Sequence, residues 1–422
     1  MNIGGTARVP GDKSISHRAV LLAALARRGG ASELRGLLTG EDVKSTARVL
    51  RQLGVDISSI RDGSVVTVRA SRLTHPASPL HCGNSGTTAR LCLGVLAGHT
   101  FAARVTGDAS LRRRPMRRVT EPLRTMGARI TEERGDGLPL TITGGRLKDL
   151  EYASPVASAQ IKSALLLAGL TGGVRVAIRE PYRSRDHTER LFAHLGLGIH
   201  ERNGAIVFEP ASPSHVPTFQ LSVPGDISSA AFLIGAAVLA EGGELVIQGV
   251  GVNPTRTGVL VVLERMGARV ERVNLSAEGG EPVADLVVRP AALRATEVTG
   301  AEIPTLVDEV PVLAVLASRA RGETVFRDVG ELRVKESNRL ELLAANLRAV
   351  GVEAEARGDD LHVCGSERSP RGAVDTASDH RLAMAFAVLG TLPGADVRLS
   401  ERRSVSISYP GFFAELRRIR AT

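Results

Sequence analysis

Two stretches decide the fold: PGDKSISHRAVLLAALARRG at 10–29 and PGDISSAAFLIGAAVLAEGG at 224–243. Each begins with Pro-Gly-Asp, passes through a serine into a helix of small and apolar residues, and closes at glycine. The second copy begins just past the middle of the 422-residue chain. The sequence therefore indicates a duplicated half.

The same type of helix returns four more times, at intervals of roughly 70 to 77 residues. These copies are SGTTARLCLGVLAG from Ser85, SAQIKSALLLAGLTGG from Ser158, PTLVDEVPVLAVLASRARG from Pro304 and SDHRLAMAFAVLGTLPG from Ser378. A second repeated element is a helix stopped by glycine and followed by a strand. Its copies are LRQLGVDI at 50–57, LRTMGARI at 123–130, LFAHLGLGI at 191–199, LERMGARV at 263–270 and LRAVGVEA at 347–354. Segments such as ARITEERGDGLPLTITGG and LGIHERNGAIVFEPA alternate like hairpins.

The repeats predict an α/β protein of two similar domains, each built from three βαβαββ units with the apolar helices buried at the centre and the sheets outside. We expect one domain at 13–225 and the other at 1–12 plus 226–422. The chain would cross between them near 11–13 and near 225–227. A length of 422 residues agrees with two domains of about 200 residues each.

Composition bounds the class of protein. Apolar residues make up 43% and charged residues 23%, as in soluble globular proteins. The N-terminal residues MNIGGTARVPGDKS carry no leader pattern, and AAFLIGAAVLA is shorter than a membrane span, so we expect a cytoplasmic protein with no membrane segment. Cys82, Cys92 and Cys364 are too scattered for a disulfide framework or a zinc site.

A net charge of +9 favours anionic partners. A basic nucleic-acid-binding repeat protein is one alternative, and it predicts steeply salt-dependent binding. Aromatic residues are only 3% with no Trp, so stacking platforms are poorly supplied. Small anionic substrates fit the charge equally well.

Charged and polar residues cluster at the starts of the apolar helices. A helix N-terminus attracts anions through its free N–H groups and its dipole, so several starts facing one cleft would bind phosphates and a carboxylate. Helix capping and solvated first turns are the alternative explanation for each cluster. The clusters are Lys13-Ser14 with Arg18, Asn84-Ser85-Gly86-Thr87, Arg112-Arg113-Arg114, Ser158 with Gln160, Arg185-Asp186-His187, Lys335-Glu336 with Asn338-Arg339, and Asp379-His380-Arg381.

The acid pair Asp308-Glu309 lies inside an apolar run, and a partly desolvated Asp308 is a candidate general base. The chain contains no P-loop, no GxGxxG after a strand, no GxSxG and no HExxH. Nucleotide-binding, serine-hydrolase and metalloprotease chemistries thus lose their usual support.

Nine motifs in order closely resemble the EPSP synthase family of enolpyruvyl transferases, over Pro10 to Pro410. They are PGDKSISHR, GNSGTTARL, GDASLRRRPM, SAQIKSALLLAGL, SRDHTER, VPGDISSAAF, LVDEVPVLAV, ELRVKESNRL and SDHRLAMAF. The resemblance implies the enolpyruvyl transferase fold, an inside-out α/β barrel in each domain, with the active site in the cleft between domains. It also implies transfer of the enolpyruvyl group of phosphoenolpyruvate to the 5-hydroxyl of shikimate 3-phosphate.

The resemblance also implies the site residues. The shikimate 3-phosphate site would comprise Lys13, Ser14, Arg18, Ser158, Ala159, Gln160, Arg185, Asp308 and Lys335. The phosphoenolpyruvate site would comprise Lys13, Gly86, Arg114, Gln160, Arg339 and Arg381. Asp308 would be the proton acceptor and Glu336 the proton donor, with Lys13 sharing the work. The family needs no metal or organic cofactor, and its members suggest a monomer without nucleic-acid partners.

Two positions bear on specificity. Ile407 stands where some members carry a substrate-binding lysine, so that contact is not expected from this residue. Gly86 stands at the position that governs the competitive inhibitor glyphosate, and the small residue leaves room for it. The alternative within the same chemistry is UDP-N-acetylglucosamine 1-carboxyvinyltransferase, whose loop before Arg-Pro typically carries a cysteine. The loop here has Ala109 instead, although the adjacent Asp108 leaves the alternative open.

Overall fold

The computed structural model describes residues 2–211 and 216–420. The strands, in chain order, are β1 (Asn2–Arg8), β2 (Ala31–Arg35), β3 (Asp56–Ile57), β4 (Val66–Arg69), β5 (Leu80–His81), β6 (Ala102–Thr106), β7 (Arg129–Glu132), β8 (Leu140–Thr143), β9 (Leu150–Ala153), β10 (Val176–Arg179), β11 (Ile199–Arg202), β12 (Ala205–Phe208), β13 (Gln220–Ser222), β14 (Gly242–Gly251), β15 (Val270–Glu278), β16 (Glu281–Val288), β17 (Glu297–Val298), β18 (Glu323–Phe326), β19 (Ala354–Arg357), β20 (Asp360–Cys364), β21 (Arg371–Val374) and β22 (Asp396–Leu399).

The α-helices, in chain order, are α1 (Lys13–Ala24), α2 (Glu41–Gln52), α3 (Gly86–Ala97), α4 (Ala109–Arg112), α5 (Arg117–Met126), α6 (Ala159–Gly172), α7 (His187–His194), α8 (Ile227–Val238), α9 (Gly258–Arg265), α10 (Val310–Ala317), α11 (Arg339–Ala349), α12 (His380–Leu389) and α13 (Phe412–Arg418). Short 3-10 helices cover Ile303–Thr305, Gly330–Val334 and Arg403–Ile407.

The chain divides into two compact units. The N-terminal unit is Gly11–Val223 with Glu278–Glu281, and the C-terminal unit is the described part of 1–10, 224–277 and 282–422. Segment 278–281 is the tip of the β15–β16 hairpin, which the sequence prediction did not separate from 226–422. Within the N-terminal unit, Glu281 Oε1 lies 2.7 Å from His187 Nδ1, and Arg190 Nη1 donates to the carbonyl of Gly280 at 3.1 Å.

The N-terminal unit contains three sheets of one topology, in the orders β13-β2-β4-β3, β5-β6-β8-β7 and β9-β10-β12-β11. In each of these orders, the first strand lies at the edge of the sheet and pairs in parallel with the second strand. The third and fourth strands form a hairpin, and the third pairs antiparallel with the second. In β9 and β10, for example, Leu150 pairs with Val176 and Ala153 with Arg179. These pairings are the strand arrangement of a βαβαββ unit.

Two sheets of the C-terminal unit repeat this plan, and the third contains only the parallel pair β21-β22 among the described residues. Its sheets have the orders β1-β14-β16-β15, β17-β18-β20-β19 and β21-β22. Strand β1 runs parallel to β14 in a register from Asn2 opposite Gly242 to Arg8 opposite Gln248. The first strand of one unit thus comes from the start of the chain, whereas the corresponding strand of the other unit, β13, comes from residues 220–222.

The repeated apolar helices α1, α3 and α6 are buried in one unit, and α8, α10 and α12 in the other. Helices α3 and α6 approach closely, because a Cβ built on Gly94 would lie 2.1 Å from the carbonyl oxygen of Ala164. Small residues permit this contact, which explains their abundance in these helices. The predicted α/β fold with buried central helices is confirmed.

The predicted glycine stops are confirmed as well. The five glycines that follow the second repeated helix have φ angles between 70° and 113°, a region where side chains are disfavoured: Gly54, Gly127, Gly196, Gly267 and Gly351. The predicted hairpins form between β7 and β8 and between β11 and β12, the latter through Asn203-Gly204 with positive φ at both residues. Local turn chemistry was therefore a reliable guide.

Two polar clusters named from the sequence lie mostly just before a helix rather than inside one. Helix α7 begins at His187 after Asp186, and Ser184, which precedes them, donates its hydroxyl to Glu180 Oε1 at 2.7 Å. Pro115 does not open a helix, because α4 ends at Arg112 and α5 begins at Arg117. No helix among the described residues is long and apolar enough to cross a membrane.

Candidate functional site

The first cluster of predicted residues lies at the start of α1 in the N-terminal unit. Asp12 caps this helix by accepting from the amide of Ile15 at 2.9 Å. Lys13 Nζ lies 3.2 Å from Asp42 Oδ2, an ion pair whose two side chains are largely buried. Asp42 thus fixes the ammonium at the helix start, where it can meet an anionic ligand.

Arg18 is buried one turn further along the same helix. Its guanidinium donates to Thr188 Oγ1 at 2.7 Å, to Ser163 Oγ at 2.6 Å and to the carbonyl of Ser14 at 2.8 Å. Burial lowers the pKa of Arg18 to about 10; Glu189 opposes this shift and the nearby Arg185 adds to it. A cation that is buried beside a second cation favours binding of an anion.

The second cluster lies at the start of α3. Ser85 caps the helix by accepting from the amide of Thr88 at 3.1 Å. Arg114 Nη2 donates to Asn84 Oδ1 at 2.6 Å, and Asn84 Nδ2 donates to Asp108 Oδ2 at 2.7 Å. A Cβ built on Gly86 would lie 3.0 Å from Arg90 Nη1 and 3.5 Å from Arg114 Nη1. Gly86 therefore leaves two guanidinium groups accessible beside a helix N-terminus.

Gln160 connects this second cluster to the start of α6. Its Oε1 accepts from Arg90 Nη1 at 2.7 Å, and its Nε2 donates to Thr87 Oγ1 at 3.0 Å. Ser158 precedes α6, but its hydroxyl does not cap the helix. Ala159 is the first residue of the helix and is half-buried. The helix start thus presents amides and polar side chains together.

The start of α11 in the C-terminal unit centres on Arg339, which is 1% exposed. Its Nε donates to Asp379 Oδ2 at 2.7 Å, its Nη2 donates to Glu336 Oε2 at 2.6 Å, and its Nη1 lies 3.5 Å from Asp308 Oδ1. Burial lowers the pKa of Arg339, but Asp379, Glu336 and Asp308 outweigh burial, so its pKa is raised. Both predicted proton-transfer carboxylates therefore share one guanidinium.

Arg381 contacts Asp308 as well, and it lies at the start of α12. Its Nη2 lies 3.4 Å from Asp308 Oδ2, and its Nη1 donates to the carbonyl of Asp308 at 3.1 Å. Asp379 caps the same helix by accepting from the amide of Arg381 at 2.9 Å. Burial raises the pKa of Asp379, but the charge of Arg339 outweighs burial and holds that pKa below its ordinary value.

Two predicted positions lie apart from these contacts. Lys335 precedes α11, and its ammonium pairs with Glu331 Oε1 at 2.7 Å instead. Ile407 ends a 3-10 helix and is half-buried.

Sequence reasoning missed Asp42 and Arg90 as site residues, although both contact predicted ones. Asp42 lies in the first turn of α2, and Arg90 lies in the second turn of α3. A charged residue inside an otherwise apolar helix was the available signal for Arg90. Asp42 gave no signal, because acidic residues are common in the first turn of any helix.

Comparison with known proteins shows the family of this chain. The family model described as EPSP synthase (3-phosphoshikimate 1-carboxyvinyltransferase) matches residues 1–416. The chain belongs to the EPSP synthase family. This match to EPSP synthase does not favour the nucleotide-sugar alternative.

Two relatives named 3-phosphoshikimate 1-carboxyvinyltransferase align over nearly their whole length. The 3-phosphoshikimate 1-carboxyvinyltransferase of Geobacillus kaustophilus (strain HTA426) is 46% identical over 99% of this chain and 97% of the relative. That of Desulforudis audaxviator (strain MP104C) is 48% identical over the same shares.

Solved structures give the same result for the fold. An EPSP synthase from Acinetobacter baumannii superposes with a TM-score of 0.87 at 37% identity, covering 99% of this chain and 96% of that one. The enolpyruvyl transferase NikO from Streptomyces tendae has a TM-score of 0.78 at 20% identity, covering 99% and 95%. The second likeness is one of fold alone.

Proposed function

We propose that this chain transfers the carboxyvinyl group of phosphoenolpyruvate to the 5-hydroxyl of shikimate 3-phosphate, giving 5-enolpyruvylshikimate 3-phosphate and phosphate. The observation that carries the proposal is the set of cationic side chains at the starts of buried helices, with Asp308 and Glu336 both beside Arg339. The names of the curated relatives and the family match support the choice of substrates.

We assign the phosphorylated acceptor to the cluster around Arg18. The phosphate would engage Arg18, Arg185 and the start of α6 at Ser158 and Ala159, because amides at a helix N-terminus and guanidinium groups are good phosphate donors. Lys13, Ser14 and Gln160 would complete this side. Asp308 and Lys335 are assigned to the same acceptor from the C-terminal unit.

We assign phosphoenolpyruvate to Lys13, Gly86, Arg114, Gln160, Arg339 and Arg381. This substrate carries a phosphate and a carboxylate, and three arginines with one lysine complement that charge. The close approach allowed by Gly86 would let an anionic group reach the amides at the start of α3. We propose that residues of both units act on this one pair of substrates.

The reaction would begin when Asp308 takes the proton of the acceptor hydroxyl, whose oxygen then attacks the central carbon of phosphoenolpyruvate. Glu336 gives a proton to the methylene carbon, which becomes a methyl group in a tetrahedral intermediate. Loss of phosphate, with removal of a proton from that methyl group, restores the double bond. Lys13 would share in these proton transfers.

Arg339 offers a physical reason for the two roles. Its guanidinium faces both carboxylates, with Nη2 2.6 Å from Glu336 Oε2 and Nη1 3.5 Å from Asp308 Oδ1. An anionic substrate on Arg339 would compete with Glu336 for the guanidinium and so favour its protonated form. Asp308 would retain Arg381, at 3.4 Å, and stay ionised as a base.

The test is release of phosphate from phosphoenolpyruvate by the purified protein, with shikimate 3-phosphate or UDP-N-acetylglucosamine as acceptor. We expect release only with shikimate 3-phosphate and a loss of at least about a hundredfold in Asp308→Ala. The matched control is Asp396→Ala, because Asp396 is exposed and pairs only loosely with Arg398 at 3.9 Å. Release with the nucleotide sugar alone would overturn the substrate, and release with neither would overturn the reaction. A cytoplasmic location and a monomeric state stay predictions.

A further inference from the structure

A buried ion cluster in the N-terminal unit has no part in the reaction described above. Lys162 lies on α6 and is 1% exposed. Its Nζ lies 2.8 Å from Glu180 Oε2 and 2.7 Å from Glu189 Oε1. A lysine is seldom buried without partners, and here two carboxylates surround one ammonium.

Glu180 does more than neutralise Lys162. Its Oε1 accepts from the amide of Ser158 at 3.2 Å and from the hydroxyl of Ser184 at 2.7 Å. Its Oε2 accepts from the amide of Ser184 at 3.4 Å. One side chain therefore joins the residue that precedes α6 to the loop that carries Arg185.

Glu189 differs from Glu180 in this respect. It pairs with the same Lys162, but it accepts no hydrogen bond from Ser158 or Ser184, which both donate to Glu180. Burial raises the pKa of Glu189, while Lys162 opposes that shift. Burial lowers the pKa of Lys162, but Glu189 and Glu180 outweigh it, so the lysine stays charged in this setting.

We propose that Glu180, held in place by Lys162, is a positioning residue that sets Ser158 and Arg185 at the spacing required by the phosphate of the acceptor. This inference rests on the proposed function, because it takes the acceptor phosphate as the ligand of these two segments. In this role Glu180 would not contact either substrate; it would act through Ser158 and through Ser184, the neighbour of Arg185. Breaking a buried charge cluster would also cost stability, so the test must separate positioning from folding.

The substitution Glu180→Gln keeps the size of the side chain but leaves one acceptor oxygen in place of two. We expect the KM for shikimate 3-phosphate to rise by about tenfold or more, with the KM for phosphoenolpyruvate changed by less than about twofold. Glu189→Gln removes a charge from the same lysine without removing a bond to Ser158 or Ser184, so its effect on the acceptor KM should stay below about threefold. Glu151→Gln is the surface control, because Glu151 lies on β9 and forms an exposed ion pair with Arg175.

Amide hydrogen exchange gives a readout that needs no turnover. We would measure exchange in the Glu180→Gln variant with no substrate added. Exchange should become faster in the peptides covering 155–160 and 181–187, and it should stay unchanged in the other buried central helices. Equal effects of Glu180→Gln and Glu189→Gln on both KM values, or unchanged exchange in both peptides, would overturn the proposal. If the unmodified chain does not turn over shikimate 3-phosphate, the proposed function fails, whereas the exchange result still decides whether Glu180 holds the two segments.

Discussion

Arg339 and Asp379 form a two-point ion pair, with Nε 2.7 Å from Oδ2 and Nη2 3.2 Å from Oδ1. Asp379 is fully buried and also caps α12, while the hydroxyl of Ser337 donates to its Oδ2 at 2.9 Å. One carboxylate thus orients the guanidinium that Asp308 and Glu336, the two proposed proton-transfer residues, share. The arrangement of Asp308 and Glu336 around Arg339 therefore depends on this ion pair.

The substitution Asp379→Asn should weaken both the site and the fold. It leaves Arg339 buried without its main countercharge, so we expect the free energy of unfolding to fall by about 3 kcal/mol and the KM for phosphoenolpyruvate to rise. Urea unfolding and steady-state kinetics measure the two effects. Asp360→Asn is the matched control, because Asp360 pairs with Arg327 in a more exposed setting and should cost less than about 1 kcal/mol. Equal losses in both variants would contradict the special role of Asp379.

Gly86→Ala should affect phosphoenolpyruvate more than the acceptor. The added Cβ would lie 3.0 Å from Arg90 Nη1, so the guanidinium of Arg90 must shift, whereas Arg114 at 3.5 Å would be in ordinary contact. We expect kcat/KM for phosphoenolpyruvate to fall by about tenfold and inhibition by glyphosate to weaken, with little change in the acceptor KM. Gly145→Ala is the control, because nothing lies within 4 Å of a Cβ at that position. An unchanged inhibition constant for glyphosate would count against the placement of Gly86.

Gly94→Ala tests the helix packing. Alanine in place of glycine inside a helix ordinarily stabilises a protein by about 0.5–1 kcal/mol. Here the new Cβ would meet the carbonyl of Ala164 at 2.1 Å, so α3 and α6 must separate. We therefore expect a loss of about 1–3 kcal/mol in the free energy of unfolding. Stabilisation in Gly94→Ala would show that the two helices are not held at this spacing.

His17 should make stability depend on pH. It is fully buried and its Nδ1 lies 2.7 Å from Thr46 Oγ1. Burial lowers its pKa well below the ordinary value; Lys13 and Arg18 add to this shift and Asp12 opposes it. The unfolded chain binds a proton near pH 6.5 that the folded chain does not, so this contribution is complete above about pH 6.5 and is lost as the pH falls.

The measurement is urea unfolding between about pH 7.5 and 5.5. As the pH is lowered, the free energy of unfolding should decrease less steeply in His17→Gln than in the unchanged protein. The difference between the two slopes should be up to about 1.4 kcal/mol per pH unit. His200→Gln serves as control, since His200 is exposed on β11. A slope that is the same in both variants would mean that His17 is not buried in its neutral form.

The fold was predictable because its signals are local. The Pro-Gly-Asp starts, the glycine stops and the Asn203-Gly204 turn each follow from backbone preferences of a few neighbouring residues. Asp12 and Asp226 both cap their helices, as two copies of one motif should. Because the unit is repeated, the same local signals predicted its structure at six places along the chain.

The residues of the proposed site could be named from the sequence, whereas their contacts could not. Asp379 was visible in the sequence, but its partner Arg339 lies forty positions away on another helix. Lys162 and Glu180 stand in separate elements, and neither periodicity nor spacing pairs them. Long-range ion pairs depend on how sheets and helices pack, and that information is spread over the whole chain.

The His187–Glu281 pair has a consequence for dissecting the protein. A polypeptide ending at Val223 would contain all three N-terminal sheets, yet it would lack the buried carboxylate that faces His187. A truncated gene for this half would thus encode a fragment missing part of its own interior. Complementation with the other fragment, rather than independent expression of each half, is the natural route for reconstituting the protein from pieces, and any ancestral single copy must have filled that place in another way.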